Sequence, residues 1–451
     1  RSNRVRRFLL VATALVHAGL TAASWWFPSE PVGAGWIGLD DLGRFFLSIT
    51  SALFVAATCC TVATLRREEP GRQVDAEEGF LFINAPEATF TGCLLLFLAT
   101  MTLVAASRHF GLLWVAVEAT TLASAPLIYF HRHHRSLEAT WKYMLFCSVG
   151  IALALLGNFM LTVSAALISR DESPLLLGSL LKNALFLDPR WLKAAFIFFL
   201  VGYGTKMGLA PMHTWLPDAH SEAPAPVSAL LSGALLNAAF LAILRAHQVC
   251  VAAGMKAFSS DLLVVFGLLS MAVAAVFILN QADFKRMLAY SSVEHMGILA
   301  LGIGLGGGAV FGSVLHAMNH SLTKAMLFFV AGNVLAVYRT KSVADVRGLM
   351  RILPVSGALW LAGFFAITGT PPFGTFLSEF AILKGALDQG HPVIAAAYLG
   401  VLALIFIGMA SIFLRMAQGV PPKPMTQSKE SFFSFLPPAT LAAVVLTLGS
   451  Y

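Results

Sequence analysis

Apolar residues run for about twenty positions at a time along this chain, separated by short polar stretches. The runs fall at roughly 8–27, 45–65, 88–107, 110–130, 143–168, 191–212, 227–249, 260–281, 287–306, 309–338, 353–388, 392–417 and 432–450. An α-helix needs about 20 apolar residues to cross the hydrocarbon core of a bilayer. The pattern therefore predicts thirteen helical spans in an all-α, polytopic membrane protein, and leaves no room for a large soluble domain.

Two spans break in mid-course. The sixth reads Gly202-Tyr-Gly-Thr-Lys206-Met-Gly208-Leu-Ala-Pro211, and the long eleventh contains Thr368-Gly369-Thr-Pro371-Pro372-Phe-Gly374 ahead of Glu379. Glycine and proline release backbone groups that lipid cannot satisfy, so such breaks belong inside protein or beside a wet cavity. They lie five spans apart. A five-span unit used twice inverts on repetition, and paired broken helices point to a transport path. The expected organisation is an N-terminal helical part at 1–87, inverted five-helix repeats at 88–250 and 260–417, and a C-terminal helix in 418–451.

Composition agrees with a bilayer. Of 451 residues, 58% are apolar and only 12% charged, against about 25% charged in soluble domains. The net charge of +7 is better explained by basic membrane loops than by nucleic acid. Alternating the loops between two sides sends nineteen basic residues to one side, from Arg1, Arg4, Arg6 and Arg7 through Arg286 and Lys341 to Lys423 and Lys429. The other side receives eight: Arg44, Arg108, Arg170, Lys182, Arg190, Lys193, Arg245 and Lys256. Positive loops face the cytoplasm. This places Arg1 inside and Tyr451 outside, in the inner (cytoplasmic) membrane. The chain starts without Met and Arg1–Arg7 leads straight into an apolar run, so a further helix is expected ahead of Arg1.

Ionisable residues within these spans carry the chemistry: Glu118, Lys206, Glu294, His295, His316, His320, Lys324 and Glu379. Such a group at bilayer depth costs several kcal/mol, about 2.5 upwards, and usually marks an ion or proton path. Glu118 is the natural partner of Lys206, either as a structural ion pair or as a charge that controls the lysine's proton. His316, His320 and Lys324 recur every fourth residue and so share one helix face. They suit a proton relay, with helix–helix bonding and zinc ligation as alternatives; no acidic third ligand lies near on that helix. Glu294 and His295 add two more relay candidates, although neighbours in sequence face different ways. Five scattered cysteines without a C-x-x-C pair, and no nucleotide, haem or flavin signature, lead us to expect no cofactor, no resident metal and no redox centre. The Gly304–Gly308 run lies at a span end, without the strand that a phosphate loop needs, and Pro421-Pro-Lys-Pro424 reads as a short connector.

Four stretches carry a family resemblance. They are 202–226 (with His213 and ending Glu222-Ala-Pro-Ala-Pro226), Lys285-Arg-Met-Leu-Ala-Tyr-Ser-Ser-Val-Glu-His-Met-Gly297, Asn319-His-Ser-Leu-Thr-Lys324, and Gly369-Thr-Pro-Pro-Phe-Gly374. Together they resemble the antiporter-like subunits of respiratory complex I and its relatives. Leu231-Ser-Gly-Ala-Leu-Leu-Asn237 and Glu294-His-Met-Gly297 look in particular like the F subunit of hydrogenase-4-type, membrane-bound [NiFe] hydrogenases. The resemblance implies fourteen spans in two inverted repeats and a proton (or Na⁺) translocating subunit of a redox-driven complex. Its partners would be other membrane subunits and, through them, a [NiFe]-hydrogenase-like or iron–sulfur arm. A cation/proton antiporter, or a subunit of an NADH/quinone oxidoreductase, is the alternative. It also implies that Glu118 and Lys206 form a charge-modulated pair, that His320 and Lys324 belong to a central hydrophilic axis, and that Glu379 is the outlet group. Complex I relatives place a second lysine where this chain has Asn237, so a relay here needs water or Arg245.

Overall fold

The computed structural model describes residues 3–67, 71–74, 79–166, 174–421 and 425–450. Arg1, Arg170, Lys423, Tyr451 and the 422–424 part of the proline connector lie outside the described residues. The helices are α1 Asn3–Ala23, α2 Asp41–Arg67, α3 Glu87–Ala106, α4 Phe110–Ile128, α5 His134–Ser164, α6 Leu177–Lys182, α7 Pro189–Met207, α8 Trp215–Glu222, α9 Ala225–Leu230 and α10 Leu236–Ala252. They continue as α11 Lys256–Ile278, α12 Phe284–Leu305, α13 Gly308–Tyr338, α14 Leu349–Ile352, α15 Pro354–Ile367, α16 Gly374–Asp388, α17 Pro392–Ala417 and α18 Phe432–Ser450. A small hairpin, β1 Arg72–Val74 against β2 Leu81–Ile83, is the one paired set of strands among the described residues.

Eleven of these helical stretches are long and apolar enough to cross a membrane. α7 has the length but carries Arg190, Lys193 and Lys206, and the long eleventh run is split into α15 and α16. Starts are fixed by side chains that take the otherwise unpaired first amides of each helix. Asp188 caps α7, Asp283 caps α12, and the rings of His109 and His133 cap α4 and α5.

Both expected breaks occur, the first later than the glycines suggest. α7 stays regular through Gly202, Gly204 and Lys206, and stops at Gly208, whose φ of 85° is left-handed. Gly202 serves packing instead: a Cβ there would sit 2.6 Å from the carbonyl oxygen of Gly150 on α5. One bend was not legible in the sequence. α9 and α10 form one 28-residue span joined by a π-helical turn at Leu231–Leu235, a feature often found at functional sites.

The most enclosed elements are α12 and the α9–α10 span, whose apolar windows are 100% and 94% buried, against 17% for α1 and 28% for α17 and α18. The enclosed helices carry the polar residues, and the outer ones present apolar side chains. Residues that loop alternation assigns to one side also meet there. Arg7 pairs with Glu87, Lys142 and Arg286 with Asp218, and Lys341 with Glu222. Asp40, Ser107 and Arg245 meet on the other.

Candidate functional site

Lys206, in the last turn of α7, is fully buried. Its Nζ donates to the hydroxyls of Thr121 (2.6 Å) and Tyr143 (2.7 Å), and lies 4.6 Å from the centre of the Tyr143 ring. Tyr143 meets Ser124 Oγ at 2.7 Å. Because Ser124 donates to the Thr120 carbonyl, the phenol donates to Ser124. The expected direct contact with Glu118 is absent: Thr121 stands between, donating to Glu118 Oε2 at 3.3 Å. Ser148 donates to Oε1 at 3.0 Å. Glu118 itself is half-buried on the outer side of α4, and Ser148 is exposed. Lysine and carboxylate are therefore coupled through a hydroxyl, and the acid stands half-exposed between α4 and α5.

Lys324 lies on α13, also fully buried. It donates to the Leu288 carbonyl and to Ser291 Oγ, both on α12. Neither lysine forms an ion pair among the described residues. Glu294 is buried beside Lys324 and within its electrostatic reach. His295 bonds His316 through Nδ1···Nε2 at 2.8 Å, and His316 Nδ1 meets Ser378 Oγ of α16 at 2.9 Å. Glu294 and His295 thus both join the cluster, although they are adjacent in sequence. The His320 ring lies 4.8 Å from that of His295, centre to centre, and neither of its nitrogens is hydrogen-bonded. Glu379 on α16 brings a carboxylate oxygen within 4.8 Å of ligand nitrogens of both His295 and His316. Gly369, left-handed at φ 61°, lies so close to that carboxylate that a Cβ there would clash with it.

Asn237, two residues past the π-helical turn, donates to Ser321 Oγ at 2.7 Å and to the Gly233 carbonyl at 2.9 Å, tying α10 to α13. Arg245 does not serve Asn237. Its guanidinium holds Asp40 (3.1 Å) and the carbonyls of Ala105 and Ser107, where α3 ends. It is a pin between helix ends, and this corrects the alternative relay partner expected from sequence. His213 stands apart, with the rings of Phe277 and Tyr290 around it at 6.4 and 6.2 Å.

At one end of the bundle a cavity of about 400 Å³ is lined by Arg135, Asp218, Glu222, Asp283, Arg286 and Lys341, among others. Burial raises the Glu222 carboxyl, but Lys341 at 2.6 Å outweighs this and holds it below the usual carboxylate range. The sequence reading missed Thr121, Ser124, Tyr143, Ser148, Ser291, Ser321 and Ser378. Hydroxyls within apolar runs commonly bond their own helix, so nothing local marks the ones that bridge.

A mostly helical bundle with two mid-span breaks and buried lysines, histidines and acids defines an antiporter-like membrane subunit. Residues 107–406 match the family described as "NADH:quinone oxidoreductase/Mrp antiporter, TM", and the chain belongs to that family as an integral, multi-pass, proton-translocating membrane subunit. It is 36% identical over 431 residues to the hydrogenase-4 component F homolog of Methylacidiphilum infernorum, covering 94% of this chain and 87% of that one. The membrane-bound sulfane sulfur reductase, an archaeal respiratory complex, contains a chain that superposes with a TM-score of 0.86 at 20% identity, over 100% of this chain and 90% of that one. A chain of the Mrp complex from Dietzia sp. DQ12-45-1b gives 0.83 at 19% identity, over 99% and 90%. These relatives are subunits of multi-subunit membrane assemblies, and membrane subunits are the partners of this chain as well.

Proposed function

We propose that this subunit carries protons for a redox-driven complex of the hydrogenase type, along a row running from Glu118 through Lys206, Asn237 and Lys324 to His295, His316 and Glu379. The observation that carries this reading is that both deep lysines are held by hydroxyls and a carbonyl, with no carboxylate in contact. A lysine clamped to a carboxylate is a structural staple. One solvated by neutral acceptors keeps a proton that a nearby charge can dislodge. On α12 and α13, the helices of Lys324 and its acceptors, lie buried polar atoms with no hydrogen bond: both nitrogens of His320, both amide atoms of Asn319, Oε2 of Glu294 and Oγ1 of Thr323. Such groups are satisfied at depth by water, which supports a hydrated file.

The half-exposed Glu118, beside exposed Ser148, supports a neighbouring membrane subunit there, since a carboxylate left partly exposed to lipid is costly. Through such subunits the chain serves a [NiFe]-hydrogenase-like or iron–sulfur arm. Residues 88–250 and 260–417 form the two inverted half-channels, flanked by 1–87 and 418–451. The side bearing Arg7, Arg286 and Lys341 faces the cytoplasm. In the reconstituted complex, Lys206→Ala is expected to abolish formation of a pH gradient while assembly persists. Wild-type gradient formation by that variant would refute the reading. Hydrogen-dependent pumping separates it from simple cation/proton exchange, which needs no electron donor.

A further inference from the structure

We infer that His295, His316 and Glu379 form a binding site for one divalent transition-metal cation, with zinc the best match to their ligand chemistry. That the bound ion would also block translocation rests on the route proposed above. One ligand atom from each residue lies within 4.8 Å of the others. Zinc holds nitrogen and oxygen ligands at about 2.0–2.2 Å, so neighbouring ligands of a tetrahedral ion stand about 3.4 Å apart. The 2.8 Å His295–His316 contact is a hydrogen bond shorter than that spacing, so an ion displaces the shared proton and parts the two nitrogens slightly. The remaining distance to Glu379 is within reach of rotation about its terminal torsion, which is soft.

Three further observations point the same way. Glu379 is 7% exposed and its Oε1 has no hydrogen-bond partner, a buried acid with unused capacity. His316 bonds Ser378 Oγ through Nδ1 at 2.9 Å, which fixes the ring with Nε2 towards His295. That is the arrangement in which outer partners orient metal-ligating imidazoles. Ser378 and Glu379 are consecutive on α16, so one helix supplies both the orienting group and the acid. The three ligands come from three helices, His295 from α12, His316 from α13 and Glu379 from α16, and α13 itself offers no acid beside its histidines.

Two imidazoles and a carboxylate suit zinc or similar ions, whereas Mg²⁺ and Ca²⁺ prefer all-oxygen sites. Three protein ligands leave a fourth position for water, as in open zinc sites. A bound cation takes the nitrogens that otherwise bond each other, so the same groups cannot then pass a proton.

The test uses the full chain, purified in detergent and stripped with chelator. Zn²⁺ binding is measured by calorimetry, and Co²⁺ absorption reports the geometry. One saturable site per chain is expected. His295→Gln and His316→Gln should each weaken it by about 100-fold, and Glu379→Gln by roughly 10- to 100-fold, in monodisperse protein. His213→Ala should bind as the wild type does. Absence of saturable binding, or affinity unchanged in the three Gln variants, overturns the inference. In the reconstituted complex, normal translocation without zinc binding overturns the site and leaves the proposed route standing. Zinc binding lost in the variants, with no slowing of translocation in the wild type, supports the site and overturns the route through it.

Discussion

Thr121→Val is the sharpest probe of how Glu118 acts on Lys206. Valine matches threonine in shape and removes only the hydroxyl, which accepts from Lys206 at 2.6 Å and donates to Glu118 at 3.3 Å. Two bonds of those lengths meeting at one oxygen put the ammonium about 5 Å from the carboxylate. At an effective dielectric of about 20 the direct Coulomb term is then about 3 kcal/mol, reduced further because Glu118 is half-exposed and screened. A hydrogen bond to a charged group contributes about 1.5–3 kcal/mol. The bridge is therefore comparable in size to the screened field across it. At about 1.36 kcal/mol per decade of rate, its loss should slow translocation roughly 10- to 150-fold. Tyr143 still holds the amine, so the fold should survive. The assay is proton uptake by the reconstituted complex, with electron transfer by the partners followed in parallel. Thr121→Ser, which restores the hydroxyl, should recover most of the rate. Wild-type uptake by Thr121→Val would show that the two charges communicate through space alone, and the bridging argument would fall.

Lys324→Arg should fail to pump although it keeps the charge, because guanidinium holds its proton at any working pH; normal pumping would show that only positive charge is needed at 324. Gly202→Ala should lower thermal stability by about 1–3 kcal/mol through overpacking against Gly150, read as a lower melting temperature in detergent. Glu222→Gln should destabilise at pH 7, because a carboxyl depressed on folding stabilises above its unfolded value of about 4.3. That contribution is lost as the pH falls through the folded value, so the gap in melting temperature between variant and wild type should close below about pH 4. Arg245→Gln should lower stability through Asp40 and the α3 carbonyls and leave proton uptake per assembled complex unchanged; lost uptake would return Arg245 to the route.

What the sequence showed and what it hid follow from one physical fact. Charged residues in apolar runs are conspicuous because their cost is independent of context, so Lys206, Lys324, Glu294, His295 and Glu379 stood out at once. All five are buried. Partnership is different, since it depends on how helices are rotated against one another, and no period within one helix records that. The four-residue spacing put His316 and His320 on one face, but the nitrogen that meets His316 belongs to His295 on α12. The pairing of Glu118 with Lys206 was right in neighbourhood and wrong in contact, because Thr121 reads as an ordinary span residue. Gly202 and Gly204 read as breakers, yet a helix closely packed on a neighbour needs small residues just as a broken one does. Only the left-handed turn at Gly208 separates the two cases.

The first break also helps to make Lys206 tolerable at depth. Each interruption makes a helix end in mid-bundle, and helix ends carry partial charge. Lys206 occupies the next-to-last position of α7, where the negative end of the dipole favours a cation by about 0.3–1 kcal/mol, and up to about 2 when partly buried. The freed α7 carbonyls are not wasted, since the Trp215 indole takes that of Thr205 at 2.8 Å and the Gly208 and Leu209 amides take that of Gly204. Glu379 is the sixth residue of α16, past the first turn, where the favourable N-terminal field has largely decayed. The fold thus gives the lysine a favourable helix-end field of that size and the glutamate little of one.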